Sequence, residues 1–299
     1  MQRRVARQFL VASLLLTISL VSDAEEPGRI TNLYDAFGAS EIKLTRDWGF
    51  AALVEYDGKR VLFDTGNDAA IFERTITKLG IDLTRLDAVV LSHRHGDHTT
   101  GLDYLLTVNP DVTIYVPQEG AYFKSTVPPD FMAPAPGLSA DMRYFGGRDP
   151  GQLRSGSPWE RANFTIVTDT TEILPGLLLI AVQSQKPGTM EMNELSLVIR
   201  TQRGLVVVVG CSHPGVEKIL EEATNIDGRL YSVIGGFHLV RTPEPEVRRV
   251  ARVLHDTLKI DRVAPAHCTS ELGFKVFLEQ FGDRFDRAGL GAVIQLPPS

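Results

Sequence analysis

Seven residues following an apolar strand constrain this chain more than any other feature: Ser92-His93-Arg94-His95-Gly96-Asp97-His98. The run Leu86-Asp87-Ala88-Val89-Val90-Leu91 leads directly into them, so the histidines begin where a buried strand ends. Two imidazoles one residue apart can chelate one cation, while Asp97 and His98, past the Gly96 turn, point at a second one a few ångströms away. Paired ions of that kind, about 3.5–4 Å apart, activate water and polarise the bond under attack. A structural zinc site would instead close four positions with protein ligands, typically with more cysteine than the two this chain has.

The chain has seven histidines, and six of them lie just beyond an apolar strand: His93, His95, His98, His213, His238 and His267. Strand ends in α/β folds converge on one rim, where ligands bind. Converging imidazoles with a carboxylate suit Zn²⁺ or a related transition metal. His255 differs, because it sits within a helical stretch and reads as a surface residue.

The surrounding pattern is α/β. Residues 49–56 and 59–64 flank an Asp57-Gly58 turn and read as a hairpin. Ile71, Ile76 and Leu79 fall near helical spacing before Gly80, and 101–108 begins another helix. Further strands are expected at 112–116, 177–182, 195–200, 205–209, 230–234 and 262–266, with helices at 216–223 and 245–259. The segment Val89-Val90-Leu91-Ser92-His93 resembles Val208-Val209-Gly210-Cys211-Ser212-His213, each followed by glycine and a helix, which suggests a duplicated βα arrangement.

The N-terminus sets an expected compartment. Arg3, Arg4 and Arg7 precede an apolar run from Phe9 to about Val21 and then Ser22-Asp23-Ala24, which reads as a secretory leader spanning 1–24. The mature protein is then periplasmic or secreted, without stable membrane insertion once the leader is cleaved. Residues 25–299 remain, within the range of a single large domain. Between about 117 and 161 they carry an insertion rich in Pro, Gly and aromatic residues, either a cover for the site or packing on the scaffold. With 31 basic and 37 acidic side chains and no Lys/Arg block, nucleic acid is not an expected partner. Cys211 and Cys268 each lie within two residues of a histidine, so a disulfide and a role beside a metal compete.

On the motif His93-x-His95-x-Asp97-His98 the chain resembles the metallo-β-lactamase superfamily. Phe63-Asp64-Thr65-Gly66 matches it too, and there the aspartate orients a ligand histidine. Gly210-Cys211-Ser212-His213-Pro214-Gly215, Gly235-Gly236-Phe237-His238-Leu239 and Pro265-Ala266-His267-Cys268-Thr269 resemble the subgroup labelled 7,8-dihydropterin-6-methyl-4-(β-D-ribofuranosyl)-aminobenzene 5′-phosphate synthase. The resemblance spans about residues 40–290 and implies a four-layer αββα sandwich with metals at one rim of the sheets. It implies His93, His95, Asp97, His98 and His267 as metal ligands and Asp64 as the residue behind them.

The superfamily commonly supplies a separate histidine before its later strand and a bridging aspartate after it. Here no histidine occurs between His98 and His213, and Cys211 stands at the aspartate's place. His213 is therefore the candidate for the missing ligand, and Cys211 is a thiolate ligand or a near neighbour. A thiolate favours Zn²⁺, as one or two ions, with iron or manganese as alternatives.

The expected activity is hydrolysis of an ester, thioester, lactone, amide or phosphoester bond of a small molecule by metal-activated water, with Asp97 or His238 assisting proton transfer. The competing readings are a pterin-related transferase and a non-catalytic periplasmic protein that uses metal to hold an anionic ligand. The sequence leaves the oligomeric state open.

Overall fold

Side-chain alternation along the strands builds three separate apolar cores, and three cores require four layers. A computed structural model describes residues 28–38, 43–119, 123, 125–126, 136–137, 139–149, 154–155, 158–187 and 192–299. In chain order the strands are β1 (Arg29–Tyr34), β2 (Ala51–Tyr56), β3 (Lys59–Phe63), β4 (Ala88–Val90), β5 (Thr113–Pro117), β6 (Ser125–Thr126), β7 (Arg154–Ser155), β8 (Asn163–Val167), β9 (Thr171–Leu174), β10 (Leu177–Gln183), β11 (Asn193–Thr201), β12 (Gly204–Val209), β13 (Leu230–Gly236), β14 (Arg262–Ala266) and β15 (Val293–Gln295). The helices are α1 (Ala69–Leu79), α2 (Gly96–Thr99), α3 (Leu102–Val108), α4 (Val216–Ala223), α5 (Glu244–Arg252) and α6 (Glu271–Phe281).

One sheet has the order β15-β1-β2-β3-β4-β5-β8 and the other β14-β13-β12-β11-β10-β9. Leu177 and Leu179 of β10, Val206 and Val208 of β12, and Val61 and Phe63 of β3 meet between the sheets. Their alternates face outward: Leu178, Ile180 and Val207 lie under α4, α5 and α6, and Leu62 and Val89 lie under α1 and α3. Helix α4 shows why it covers its sheet, since Val216, Ile219, Leu220 and Ala223 form one buried stripe at helical spacing. The result is the αββα sandwich.

The sequence-level elements appear with shifted ends. Asp57 and Gly58 both take positive φ, 50° and 70°, as a two-residue hairpin turn needs. The helix expected to reach residue 259 is α-helical only to Arg252 and closes as one wider π turn, Val253–Thr257. Strands β1, β6, β7, β8, β9 and β15 and helix α6 carry no expectation from the sequence.

The two halves repeat, but not in the register the sequence suggests. β1, β2 and β3 pair antiparallel, followed by β4 and β5 in parallel. β10, β11 and β12 pair antiparallel, followed by β13 and β14 in parallel. Strand β3 therefore corresponds to β12, and β4 to β13. Matching Val89–His93 with Val208–His213 places β4 opposite β12, one strand out of step. The counterpart of the His93 segment is Gly236-Phe237-His238, and the counterpart of Asp64 lies at Cys211-Ser212-His213.

The expected leader lies outside the described residues, as does much of the 117–161 insertion. Of what is described there, β6 pairs with β7, and Phe123 is buried against Phe164 with ring centroids 5.5 Å apart. The Trp159 indole donates to Asp103 Oδ1 at 2.7 Å. Phe123 and Trp159 thus join the core on the outer face of the first sheet. Among the described residues no helix is long and apolar enough to cross a membrane.

Candidate metal centre

Four strands feeding one rim each end in a residue with left-handed backbone: Asp64 after β3 (φ 57°), Ser212 after β12 (φ 61°), His238 after β13 (φ 48°) and His267 after β14 (φ 45°). For non-glycine residues this costs on the order of 1 kcal/mol each, and such strain gathers at functional sites. Here it turns the chain sharply off each strand, so that side chains from both sheets meet above the gap between them.

All the histidines read from strand ends meet there. The ring of His93 lies 4.7 Å from that of His95, 4.3 Å from His98 and 4.6 Å from His213. His95 and His213 are 4.8 Å apart, His98 and His267 4.9 Å, and His213 and His238 4.3 Å. The Cys211 sulfur is 3.2 Å from His98 Nε2, and Asp97 Oδ2 lies 3.4 Å from His267 Nε2 and 3.8 Å from His98 Nε2. His255 is elsewhere, against Phe281 with ring centroids 5.2 Å apart.

Donor atoms fall into groups compact enough for an ion. His93, Cys211 and His213 form one and His98, Cys211 and His267 another, each with ligand atoms within 4.8 Å of one another. Cys211 belongs to both. His95 extends the first group through its contacts with His93 and His213, and Asp97 extends the second. The Cys211 and Cys268 thiols are unbridged, with sulfurs 3.3 Å apart.

Buried carboxylates set which ring nitrogens face this space. Asp64 accepts from Ser92 N–H (2.7 Å), Ser92 O–H (2.7 Å) and His98 Nδ1 (2.7 Å). Because the Ser92 hydroxyl spends its proton on Asp64, its oxygen receives the His93 Nδ1 proton at 2.8 Å. One carboxylate thus orients two rings, holding Nδ1 of each on the outer side and turning Nε2 inward. Gly210 makes room for this network, because a Cβ there would stand 2.1 Å from Ser92 Oγ.

The second half uses Glu194 of β11, which the sequence reading missed. It accepts from the backbone N–H of Cys211 (2.9 Å), Ser212 (2.6 Å) and His213 (2.8 Å), and pairs with His213 Nδ1 at 3.1 Å. Two further buried acids were also missed. Asp35 accepts from Asn32 Nδ2 (3.0 Å) and the His267 N–H (3.2 Å), and burial lifts its carboxyl to about 7 despite His267 and Asn32. Glu119 accepts from Asn193 N–H at 2.6 Å and pairs with Arg94, tying the histidine motif to β11.

The electrostatics suit a cation. Burial, reinforced by His98, His213 and His95, pushes His93 well below the ordinary imidazole value, and burial with His213 takes His95 down to about 4. Both are therefore neutral near pH 7, the state in which an imidazole can bind a metal. Burial works upward on Asp97, but His267 and His98 outweigh it and hold the carboxyl well below its usual range. Burial opposes charge on His98, yet Asp64 and then Asp97 raise it to about 9, a proton that a metal would displace. Burial, Cys268 and Glu194 push the Cys211 thiol up, so ionising it calls for a nearby positive charge. The Nε2 of His93 and both ring nitrogens of His267 are buried without a hydrogen-bond partner. Buried ring nitrogens left without a hydrogen-bond partner, beside a thiol and a carboxylate, fit a transition metal.

A sandwich of two repeated half-sheets closing on a histidine- and thiol-rich rim defines the αββα class of metal-binding folds. The chain belongs to the metallo-beta-lactamase superfamily, whose family model matches residues 45–267. It is 28% identical over 270 residues to the 7,8-dihydropterin-6-methyl-4-(beta-D-ribofuranosyl)-aminobenzene-5'-phosphate synthase of Methanocaldococcus jannaschii, covering 83% of this chain and 89% of that one. Among solved structures, Tm1679, described as a metal-dependent hydrolase of the beta-lactamase superfamily, superposes with a TM-score of 0.69 at 26% identity, over 90% of this chain and 99% of that one. A diphosphatase of the PhnP family superposes with a TM-score of 0.51 at 15% identity, over 91% and 98%, and shares the fold.

Proposed function

We propose that the protein is a metal-dependent hydrolase of a small molecule carrying an ester, thioester, lactone, amide or phosphoester bond. The observation that carries this reading is the set of imidazoles around one shared thiol, three of which, His93, His98 and His213, are fixed from behind by Ser92, Asp64 and Glu194. His93, His95 and His213 would hold one ion, and Asp97, His98 and His267 a second, with Cys211 serving both. Imidazole with thiolate favours Zn²⁺, and iron or manganese are the alternatives. A bound ion would supply Lewis acidity, lowering the pKa of water to about 7.

The rest falls to the chain's own side chains. Asp64 and Glu194 hold Nδ1 of His98 and His213 from behind, which turns Nε2 inward and raises its basicity, as carboxylate–histidine pairs do. Asp97, partly open to solvent, is placed to accept a proton from attacking water. His238 is half-buried at the rim with Nδ1 unpartnered, and is placed to protonate a leaving group. Chelation of the metal should abolish turnover on a panel of esters, lactones and phosphoesters and zinc should restore it. Undiminished turnover by metal-free protein would reject the mechanism.

A second reading, a pterin-related synthase, is supported by the 28% identity to such an enzyme over most of the chain. Supplying that enzyme's substrates to purified protein separates the two, since only the synthase reading expects them to be joined. Export of the mature protein from a leader ending at Ala24 is part of the proposal, and N-terminal sequencing of the mature form tests it.

A further inference from the structure

We propose that Cys211 and Cys268 form a reversible dithiol–disulfide gate on metal binding, with Cys268 as the resolving thiol. The inference rests on the metal reading above and adds control by oxidation. Both cysteines are buried, their sulfurs are 3.3 Å apart, and Cys268 Sγ also lies 3.5 Å from the Cys211 carbonyl oxygen. They come from the ends of β12 and β14, with β13 between them. That intervening strand gives way where the sulfur crosses it: at Gly236 a Cβ would stand 2.7 Å from Cys268 Sγ and 2.5 Å from the Gly210 carbonyl oxygen. Closing the pair to a bond of about 2.05 Å requires the sulfurs to move by little more than an ångström.

The consequence follows from which donors are shared. Among the described residues Cys211 belongs to each of the three compact donor groups at the rim, whereas Cys268 joins one, with Cys211 and His238. Oxidising the pair therefore removes the one donor common to both ion positions while leaving the histidines in place. In return, an ion held by Cys211 occupies the electron pair that oxidation requires, so occupancy and oxidation oppose each other reciprocally.

The oxidant class is a hydroperoxide small enough to pass His95, Asp97 and His238, which are only half-buried. The Cys211 sulfur attacks the terminal oxygen as its own proton is lost, the O–O bond breaks, and the alcohol leaves with that proton. The sulfenic acid formed on Cys211 is then attacked by the Cys268 sulfur. The S–O bond breaks, and water leaves carrying the Cys268 proton. Two thiols and one hydroperoxide thus give one disulfide, one alcohol (water, when the oxidant is hydrogen peroxide) and one water.

The test uses the full chain, reduced and metal-free, treated with one equivalent of hydrogen peroxide and followed by intact-mass and peptide mass spectrometry beside zinc uptake. The expected result is loss of two hydrogens, a peptide linking Cys211 to Cys268, loss of zinc uptake, and recovery of both thiols and uptake with dithiothreitol. Zinc-loaded protein should keep its thiols under the same treatment. Cys268→Ser should bind zinc when reduced, form no disulfide, and accumulate a Cys211 sulfenic acid trapped by dimedone. Survival of both thiols in the metal-free chain, or a disulfide that leaves zinc uptake unchanged, would overturn the gate. Reduced protein that takes up no zinc would sink the metal reading beneath it and the gate with it.

Discussion

The two halves of the rim solve one problem with different anchors. In the first half Asp64 sits at the end of β3 and holds mainly side chains, reaching His98 directly and His93 through the Ser92 hydroxyl. In the second half Glu194 sits within β11 and holds mainly backbone, three consecutive N–H groups at 211–213, with one imidazole besides. Both carboxylates are fully buried. The difference teaches that one anchor orients rings and the other sets the path of a turn, and the turn is what places Cys211 between the two donor groups.

That contrast can be broken by substitution. The largest effect is expected for Cys211→Ala, which removes the shared donor. Zinc content of the purified protein should fall at both positions and turnover should vanish, while circular dichroism shows the fold retained. Next comes Glu194→Ala, which strands three buried N–H donors at about 1–3 kcal/mol each. Thermal unfolding should show a lower Tm, and zinc affinity should fall with it.

Asp64→Asn is expected to separate the two roles. It should lower zinc affinity about 10–100-fold, measured by competition with a chelator, with a smaller drop in Tm than Glu194→Ala. An equal or larger Tm drop would erase the proposed division of labour. Ser92→Ala sharpens the same point, because it should weaken the ion held by His93 and spare the one held by His98. The smallest effect belongs to the periphery: Trp159→Phe loses one hydrogen bond to Asp103, worth about 1 kcal/mol, and should leave zinc affinity unchanged.

The same contrast explains what the sequence could show. Asp64 is legible because Asp-Thr-Gly directly follows an apolar strand and its partners, Ser92 and His98, belong to the histidine motif. The four-layer sandwich is legible through the resemblance and through strands such as β10 and β12, whose long apolar runs require cover on both faces. Glu194 is not legible. Alternation places it on the face opposite Leu195, Leu197 and Ile199, where an uncovered sheet would offer it water, and only the folded 211–213 turn gives it partners. Asp35 is hidden for the same reason, since His267 lies 232 residues away along the chain.

The off-by-one repeat has a related cause. Local likeness between Ser92-His93 and Ser212-His213 is confined to residue types, since Ser212 takes left-handed backbone and Ser92 does not, whereas correspondence between halves is carried by strand pairing, which leaves no mark in short segments. Helix α6 escaped because Phe274, Val276, Phe277, Leu278 and Phe281 crowd its sequence with apolar residues on more than one face. Leu278 is in fact exposed, so no single clean stripe is written there.

The central claim is that Cys211 is a ligand common to the ions at this rim. Zinc-edge X-ray absorption on the reduced, zinc-loaded protein reads that claim directly. The account expects a sulfur shell at about 2.3 Å beside nitrogen or oxygen at about 2.0–2.1 Å, with the sulfur shell absent in Cys211→Ser. A wild-type spectrum with nitrogen and oxygen neighbours alone would contradict it.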